Sequence, residues 1–477
     1  METITTSTEQ NQTYFIDLNS ETLSSSKAAL RKPTDQEIKI LRFWRNSTFL
    51  VMLFGYVGYY LCRQNISAAF PLLNKEFGFS NTQLGQLALL SEIAYATGKF
   101  INGPLGDRIG GRKIFLSGML GAIAFNVLFT QFTSLLMFTV VWCCARYFLS
   151  MGWGGLAKTI GAWYEPEKNG TVMGFISLNF QFGGVIATLF AGLLVTLGVG
   201  WKGIFLYPAA VLFLIFIWSY LSSKDSPQDV VPGVEFPPGT NAALLEKTCA
   251  VDEVGSSESG TADPKKVIAG LFKMKVFKIL LVYSFLTTFL RSIFFFWTPK
   301  LLVDIGMGTS TAIFKSALFP LLGCIGTVLL GWYTDRYAQQ GDRADMMWKM
   351  LAGLVVCLIV ISVLITRGGA DNADVIALFI GLSGFFLLGP YSMSSGCLTL
   401  DIAGSKGAGS CTGMIDGFGY VGGALSVWLA GKLSDSLGWS QVFVILAVFA
   451  ATSMGAAMWM SQEFRKSYRQ KNQSQSI

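Results

Sequence analysis

Residues 103–108 read Gly-Pro-Leu-Gly-Asp-Arg and residues 331–336 read Gly-Trp-Tyr-Thr-Asp-Arg, so glycine, aspartate and arginine recur at one spacing, 228 positions apart. Each motif closes a long apolar run. Two arginines inside apolar runs, Arg63 in GYVGYYLCRQNISAAF and Arg291 in YSFLTTFLRSIFFFW, are separated by the same 228 positions. A charged side chain at membrane depth costs at least ~2.5 kcal/mol, so two at equivalent places mark a site rather than an accident. The pattern predicts a duplicated membrane protein whose halves each supply one arginine to an anion site at their interface.

Composition agrees with a membrane chain. Of 477 residues, 52% are hydrophobic and only 14% charged, with mean hydropathy +0.50; soluble domains carry about a quarter charged residues. Runs long enough to cross a ~30 Å hydrocarbon core need about 20 residues. Twelve are readable: 48–70, 82–105, 114–133, 135–160, 171–196, 203–222, 276–302, 311–333, 349–366, 374–398, 409–433 and 440–461. The expected fold is therefore an all-α membrane protein of twelve transmembrane helices in two six-helix bundles. Its parts are a tail over 1–46, one bundle over 47–222, a linker over 223–275, the second bundle over 276–461 and a tail over 462–477. Lys and Arg gather in the first tail, in 107–113, in the linker, in 335–343 and in the last tail, while the alternate loops hold mainly Lys75, Lys202 and Arg367. By the positive-inside bias, both termini and the linker face the cytoplasm.

The repeat continues beyond the arginines. At an offset of 239, spans five and eleven match Gly170/Gly409, Gly174/Gly413, Gly183/Gly422, Gly184/Gly423 and Gly192/Gly431. Glycine permits close helix approach in lipid. Two parallel bundles related by an axis along the membrane normal are the expected product.

Several function classes fall away. The chain has no histidine, which removes imidazole ligands and proton relays together. The net charge of +7 lies on one side of the membrane and carries no nucleic-acid signal. Of the eight cysteines, Cys62, Cys143, Cys144, Cys324, Cys357, Cys397 and Cys411 sit in or beside apolar runs and Cys249 in a polar loop. None has Cys-x-x-Cys spacing, and they read as small packing residues. The polar first tail, with Glu2, Glu9, Asp17 and Glu21, reads as a cytosolic tail and is expected to be neither a secretory signal nor a transit peptide. With no P-loop and no nucleophile elbow, no enzyme is expected, and no metal or cofactor.

Arg63 carries Tyr59, Tyr60 and Tyr56 on its own helix face, at i−4, i−3 and i−7. Glu92, Tyr95 and Lys99 form one stripe on the second span, and Tyr283, Thr287 and Arg291 one on the seventh. Guanidinium groups match phosphate oxygens bidentately and stay charged, whereas lysine acts as a point charge. Each residue also has a plainer reading. Arg63 or Arg291 could snorkel or pair with an acid. Lys99 could pair with Glu92 on its own face rather than meet a ligand. Arg146, in WCCARYFLSMGWGG, reads as a structural brace of span four. Asp416 could be structural or a proton site. The run Phe294-Phe295-Phe296-Trp297 reads as lipid-facing or packing before it reads as a sugar platform.

The chain resembles the major facilitator superfamily and, within it, the organophosphate:phosphate antiporter family. GPLGDRIGGRK (103–113) is similar to the superfamily's signature after its second helix. The narrower likeness rests on YYLCRQN (59–65), AYATGKF (94–100), SMGWGGLAK (150–158), KDSP (224–227), FLRSIFFFWTP (289–299), GTVLLGWYTDR (326–336), LLGPYS (387–392) and AGSCTGMIDGFGYVGG (408–423). The resemblance implies that the family's two phosphate-binding arginines fall on Arg63 and Arg291 and its second-helix lysine on Lys99. It departs in span five, where members related to the bacterial glycerol-phosphate carrier have a histidine and this chain has Phe180 beside Gln181. Near span eight, Pro320 replaces a position that is acidic in some members.

The expected function is exchange of inorganic phosphate for a sugar phosphate or glycerol 3-phosphate by alternating access. A proton-coupled organic anion carrier using Glu92 or Asp416, or a sugar-phosphate membrane sensor, are the alternatives. Substrate binding is expected from Arg63, Arg291, Lys99, Tyr59, Tyr60, Tyr95 and Thr287. Gating between states is expected from Asp107, Arg108, Asp335 and Arg336. The partners expected are phosphate, organophosphates and membrane lipid, with no nucleic acid and a monomeric chain in a plasma or inner membrane.

Overall fold

Capping residues decide where the helices begin and end. Thr34 opens α1 (Asp35–Phe77) with a reciprocal box: Glu37 N–H reaches Thr34 Oγ1 at 3.4 Å and Thr34 N–H reaches Glu37 Oε2 at 2.8 Å. Gly78 closes α1 at φ 69, its N–H returning to Asn74 O at 2.9 Å, a left-handed turn that glycine adopts without Cβ strain. Ser80 and Gln83 repeat the box two residues later and start α2 (Asn81–Ile109). A tight helix–helix hairpin follows from these two caps. Gly110, at φ 100, turns α2 into α3 (Gly111–Phe129).

The computed structural model describes residues 31–164, 172, 176, 179–236, 272–337, 342–395 and 397–475, with side chains except at 103, 104, 107, 335, 395, 397, 399–413 and 467–475. Beyond α3 come α4 (Leu135–Leu149), α5 (Met151–Trp163), α6 (Asn179–Thr196) and α7 (Trp201–Ser222). The second half holds α8 (Lys275–Asp304), α9 (Thr309–Ser316), α10 (Leu318–Tyr337), α11 (Ala344–Thr366), α12 (Ala373–Ser395), α13 (Cys397–Leu437) and α14 (Trp439–Gln475). α4 with α5, and α9 with α10, each make one span interrupted by a single residue, Ser150 and Ala317. The only β pairing among the described residues is one bridge, Arg31 to Val234.

Nine stretches among the described residues are long and apolar enough to cross a membrane. α1, α2 and α13 fall short of that test. They carry Tyr56, Tyr59, Tyr60 and Arg63, then Glu92 and Lys99, then Asp416, so the polarity that dilutes them is the polarity of the site. Outward faces are apolar, with Phe100, Leu136, Leu214 and Val448 all more than 60% exposed, as a lipid-facing surface requires.

Within the first half α1 packs on α6 and α7, and α3 on α4, α5 and α7; within the second, α10 packs on α12 and α11 on α14. Glycines set the closest approaches. A Cβ on Gly326 would stand 2.1 Å from Phe385 O, and one on Gly384 2.0 Å from Phe319 O, so α10 and α12 touch backbone to backbone. The halves meet along α1 with α8, α2 with α13, and α6 with α9 and α10. The matched glycines serve matching contacts. Gly183 faces Tyr60 of α1 and Gly422 faces Phe285 of α8, while Gly192 meets Phe314 and Gly431 meets Asn81 across the half boundary. Gly170, Gly174, Gly409 and Gly413 fall outside the described residues or side chains.

The end of the bundle away from the linker is fastened. Asp435 on α13 accepts from Thr82 N–H at 2.7 Å, Thr82 Oγ1 at 2.6 Å and Asn81 N–H at 3.3 Å, at the start of α2. Asn81 Nδ2 donates to Ser434 Oγ at 3.1 Å, and Thr196 and Ser310 hydroxyls lie 2.5 Å apart. Further hydrogen bonds between the halves lie nearer mid-depth: Gln64 to Phe295 O, Ser67 to Phe296 O, Lys99 to Tyr420 and Gln181 to Thr327.

Several boundaries differ from the sequence reading: α13 begins at Cys397 where 409 was expected, α14 runs on to Gln475 where 461 was expected, and the two ends beside the linker also shift. α1 begins at Asp35, well before 48, because Leu41 is fully buried with Trp163, Val234 and Phe236 at the linker end. For the same reason the linker is anchored at its start. Trp163 Nε1 donates to Lys224 O at 3.1 Å, and Arg112 N–H donates to Asp225 Oδ1 at 3.0 Å, which is the structural role of the KDSP segment. Residues 1–30 and 237–271, with Cys249, and the side chains of Cys397 and Cys411 lie outside the described residues.

Candidate functional site

Four walls converge on a cavity midway along the bundle. α1 supplies Tyr60, Arg63, Gln64 and Ser67; α2 and α4 supply Glu92 and Arg146; α8 supplies Arg291, Ser292, Phe295 and Phe296; and α13 supplies Tyr420. Arg63 and Arg291 therefore face one space from opposite halves. Helical spacing explains the α1 wall: Tyr60, Arg63, Gln64 and Ser67 follow at i, i+3, i+4 and i+7, one continuous stripe.

The first half polarises its arginine. Arg63 Nη1 donates to Tyr95 Oη at 3.1 Å, and the guanidinium lies 4.5 Å from the Tyr95 ring centre and 5.3 Å from that of Tyr60. Lys99 Nζ donates to Tyr420 Oη at 3.0 Å, crossing the half boundary, and Asp416 lies four residues before Tyr420 on the same helix. Glu92 forms an ion pair with Arg146, and both are almost fully buried. The second half leaves its arginine without a polar partner among the described residues. Arg291 sits among the rings of Phe295 at 4.6 Å, Tyr391 at 4.8 Å and Phe180 at 5.8 Å, and its Nε is buried without a hydrogen bond.

Several sequence expectations are thereby placed. Arg63, Arg291 and Tyr60 line the cavity, and Tyr95 and Lys99 join the Arg63 cluster. Tyr59 points elsewhere: its Oη donates to Phe115 O at 2.5 Å and its ring packs on Phe115. Thr287 is fully buried and donates to Tyr283 O at 2.9 Å on its own helix, away from the cavity lining. The pairing of Lys99 with Glu92 is corrected, since Glu92 is taken by Arg146, whose planar donors approach it from α4. Arg146 is a wall of the cavity as well as a brace. Phe294, Phe295 and Trp297 are buried packing residues and not lipid-facing.

Pro320 and Thr188 line a smaller neutral recess behind Phe295, with Gln64, Ser67 and Ser316. Arg108 and Arg336 are exposed at the linker end, Arg336 above the rings of Trp332 and Tyr337 at 5.9 and 5.8 Å. The Asp107 and Asp335 side chains lie outside the described ones. Lys158 Nζ donates to Gly106 O at 3.0 Å, a cation at the closing turn of α2 where the helix dipole is negative. Tyr420 and Gln64, which line the cavity, and Tyr391, whose ring centre stands 4.8 Å from the Arg291 guanidinium, were missed, and Phe295, read as packing before a sugar platform, lines the cavity as well. All four sit in segments quoted for the resemblance, YYLCRQN, FLRSIFFFWTP, LLGPYS and AGSCTGMIDGFGYVGG, which was the available signal. Among the described residues, no three of His, Cys, Asp or Glu converge as a metal site would need.

The Major Facilitator Superfamily profile matches residues 52–394. The chain is 27% identical over 409 residues to the glycerol-3-phosphate transporter of Bacillus subtilis, covering 84% of this chain and 89% of that one. It is 26% identical to a probable hexose phosphate transport protein of Chlamydia muridarum, covering 89% and 93%. It is 25% identical to the membrane sensor protein UhpC of Escherichia coli, covering 86% and 91%. Among solved structures it is similar to a bacterial homolog of the human lysosomal transporter Spinster, with TM-score 0.70 at 16% identity over 89% of this chain and 98% of that one. A D-xylose–proton symporter aligns with TM-score 0.67 at 13% identity, over 87% and 97%.

Proposed function

Because the chain belongs to the Major Facilitator Superfamily, and is thus a multi-pass membrane transport protein rather than an enzyme, we propose that it exchanges inorganic phosphate for an organophosphate across its membrane. The observation that carries this reading is the pair Arg63 and Arg291, repeat-related and facing one cavity from opposite halves. Similarity to glycerol-phosphate and hexose-phosphate transporters supports the same ligand class. The carrier is assigned to the organophosphate branch of the superfamily on these grounds.

Charge argues for exchange. Arg63, Lys99, Arg146 and Arg291 against Glu92 and Asp416 leave a balance of +2 around the cavity. A phosphate monoester near pH 7 carries about −1.5 to −2, so a bound dianion brings the site close to neutral. An empty site that closed would hold uncompensated charge in a low-dielectric interior, at a cost of several kcal/mol per ion. Arginine cannot shed that charge, since its pKa exceeds ~12. The carrier therefore returns loaded, and uptake of one anion requires release of another.

The halves rock about the cavity. The end fastened by Asp435, Thr82 and Asn81 is the extracellular or periplasmic one, given the basic residues gathered at the linker end. On this reading a site fastened at that end exchanges with the cytoplasm, with both termini on that side of a plasma or inner membrane. Arg108 and Arg336, with Asp107 and Asp335, act at the linker end when that side closes.

Counterflow in proteoliposomes tests the reading. Liposomes loaded with phosphate should accumulate labelled glycerol 3-phosphate or a hexose phosphate, while liposomes loaded with an inert anion should not. Concentrative uptake driven by a pH step without internal phosphate would replace exchange by proton coupling. Binding without any flux would favour the sensor reading, which the likeness to UhpC keeps in view.

A further inference from the structure

Arg146 is harder to explain than Arg63 or Arg291. It projects from the last turn of α4, is 1% exposed, and lines the same cavity as the other two arginines. Its guanidinium stands 4.5 Å from the Tyr95 ring centre, the same distance as that of Arg63, and with Lys99 Nζ at 5.4 Å three cations share one aromatic ring. Glu92 on α2 takes one of its Nη2 donors, and its Nε is buried without a partner among the described residues. A brace between α2 and α4 alone would not need a charge here. A buried ion pair is commonly no better than well-packed apolar side chains, and another cation beside it makes it worse. A guanidinium in the cavity wall, with a donor unspent and its charge cancelled by one carboxylate, is instead arranged to be handed over.

We propose that Arg146 is a third anion-binding group of the cavity, held by Glu92 when the ligand is a simple phosphate ester and turned to the ligand when the organic part carries a second acidic group. This inference rests on the phosphate-exchange reading and extends it to the organic side of the substrate. Arg63 and Arg291 hold the phosphate from opposite halves. Arg146, approached from the α2 and α4 side, is left for whatever lies beside it. With Glu92 ionised the balance near the cavity is +2 and suits a dianion. A ligand with an added carboxylate competes with Glu92 for the Arg146 donors, and guanidinium–carboxylate geometry favours a two-pronged contact in either case. Glu92 thus sets how strongly the site discriminates against a third negative charge.

The test compares two probes on detergent-purified full-length protein: glycerol 3-phosphate and 3-phosphoglycerate, which share the phosphate and carbon chain and differ by a hydroxymethyl against a carboxylate. Titration calorimetry gives the affinity ratio of the second to the first. Glu92→Gln frees Arg146 and should raise that ratio at least tenfold over wild type. The double variant Glu92→Gln with Arg146→Gln removes both charges together, keeps a neutral hydrogen-bonding pair, and should lower the ratio at least tenfold below wild type. Should Glu92→Gln fail to fold with an unpaired arginine, the double variant alone decides. An unchanged ratio in the double variant overturns the proposal, as does a gain in Glu92→Gln that is equal for both probes, which would mark a general charge effect. Phosphate self-exchange by the wild type is measured alongside. Its absence with the ratios moving as stated would remove the exchanger reading and leave Arg146 in the site; no phosphate binding at all would overturn both.

Discussion

The two arginine walls of the central cavity occupy equivalent places in the duplicated scaffold, yet they are furnished oppositely. Around Arg63 stand Tyr95, Lys99, Glu92 and Arg146, a network in which donors and charges are partly spent on one another. Around Arg291 stand three aromatic rings, and its buried Nε makes no hydrogen bond among the described residues. The charge recurs in both halves, yet one wall is a tuned electrostatic surface and the other a bare guanidinium clamped by rings. Rings hold a desolvated cation by about 2 kcal/mol or more without consuming its N–H groups. Arg291 therefore keeps its donor fork for the ligand, whereas Arg63 has already lent one donor to Tyr95.

The sharpest break of that contrast is to replace each arginine by lysine. Lysine keeps the charge but loses the two-pronged contact and the flat stacking. At Arg291 both losses fall on the ligand and its orientation, so phosphate exchange should drop by about 100-fold or more, since each charged hydrogen bond is worth roughly 1.5–3 kcal/mol. At Arg63 the loss should be severe but smaller, at least about tenfold, because Lys99 and Arg146 remain on that wall. Initial rates of phosphate self-exchange, normalised to reconstituted protein, decide it. Equal rates for wild type and either lysine variant would remove the two-arginine site, and a larger loss at Arg63 would reverse the contrast.

A middle effect is expected at Lys99, where the tuned wall reaches across to the other half. Lys99→Gln removes a charge held by Tyr420 at 3.0 Å, and substrate affinity should fall about tenfold, which corresponds to ~1.4 kcal/mol. Since Glu92 is paired with Arg146 and not with Lys99, Glu92→Gln and Lys99→Gln should be close to additive in thermal stability. Strong non-additivity would restore the Lys99–Glu92 pair. A stable Lys99→Gln protein with wild-type affinity would take Lys99 out of the site altogether.

What could be read from the chain alone follows from what one dimension carries. Depth and repetition are linear properties, so the apolar spans, the 228-residue offset and the two arginines at one depth were visible. Rotation about a helix axis was half visible. The i, i+3, i+4 stripe through Tyr60, Arg63, Gln64 and Ser67 points one way, yet Tyr59, one residue from Tyr60, turns to the Phe115 carbonyl. Thr287 shares a face with Arg291 by spacing alone, but α13 and the carbonyls of its own helix take up that face one turn earlier. Contacts between helices were not visible at all. Whether Glu92 meets Lys99 seven residues away or Arg146 on another span depends on how α2 and α4 pack, and Arg146 outreaches Lys99 because its fork projects from the neighbouring span straight at the carboxylate. The early start of α1 was hidden for a related reason, its polar first turns being held by a cluster with two distant segments, around Trp163 and around Val234 and Phe236.

The smallest effects test whether hydroxyls beside an arginine in sequence belong to its wall. Tyr59 in the first half and Thr287 in the second each sit four residues before their arginine, and each spends its hydroxyl on a backbone carbonyl, Phe115 O at 2.5 Å and Tyr283 O at 2.9 Å. Tyr59→Phe deletes a buried donor and leaves the Phe115 carbonyl, already engaged in its helix, one bond poorer. The net cost should be about 0.5–1.5 kcal/mol of stability. Thr287→Val removes a bond internal to the helix and keeps the branched shape, so its cost should lie at or below the lower end of that range, about 0.5 kcal/mol. Neither hydroxyl faces the cavity, and phosphate affinity should change less than about twofold, or ~0.4 kcal/mol, in both. Thermal melting with and without phosphate separates the two quantities: the unliganded melting temperature should fall more for Tyr59→Phe, while the phosphate-induced rise stays at its wild-type size. A collapse of that rise in Thr287→Val would bring Thr287 to the ligand and give the Arg291 wall a polar member after all. The same result in Tyr59→Phe would mean that the tyrosine leaves Phe115 when the anion binds.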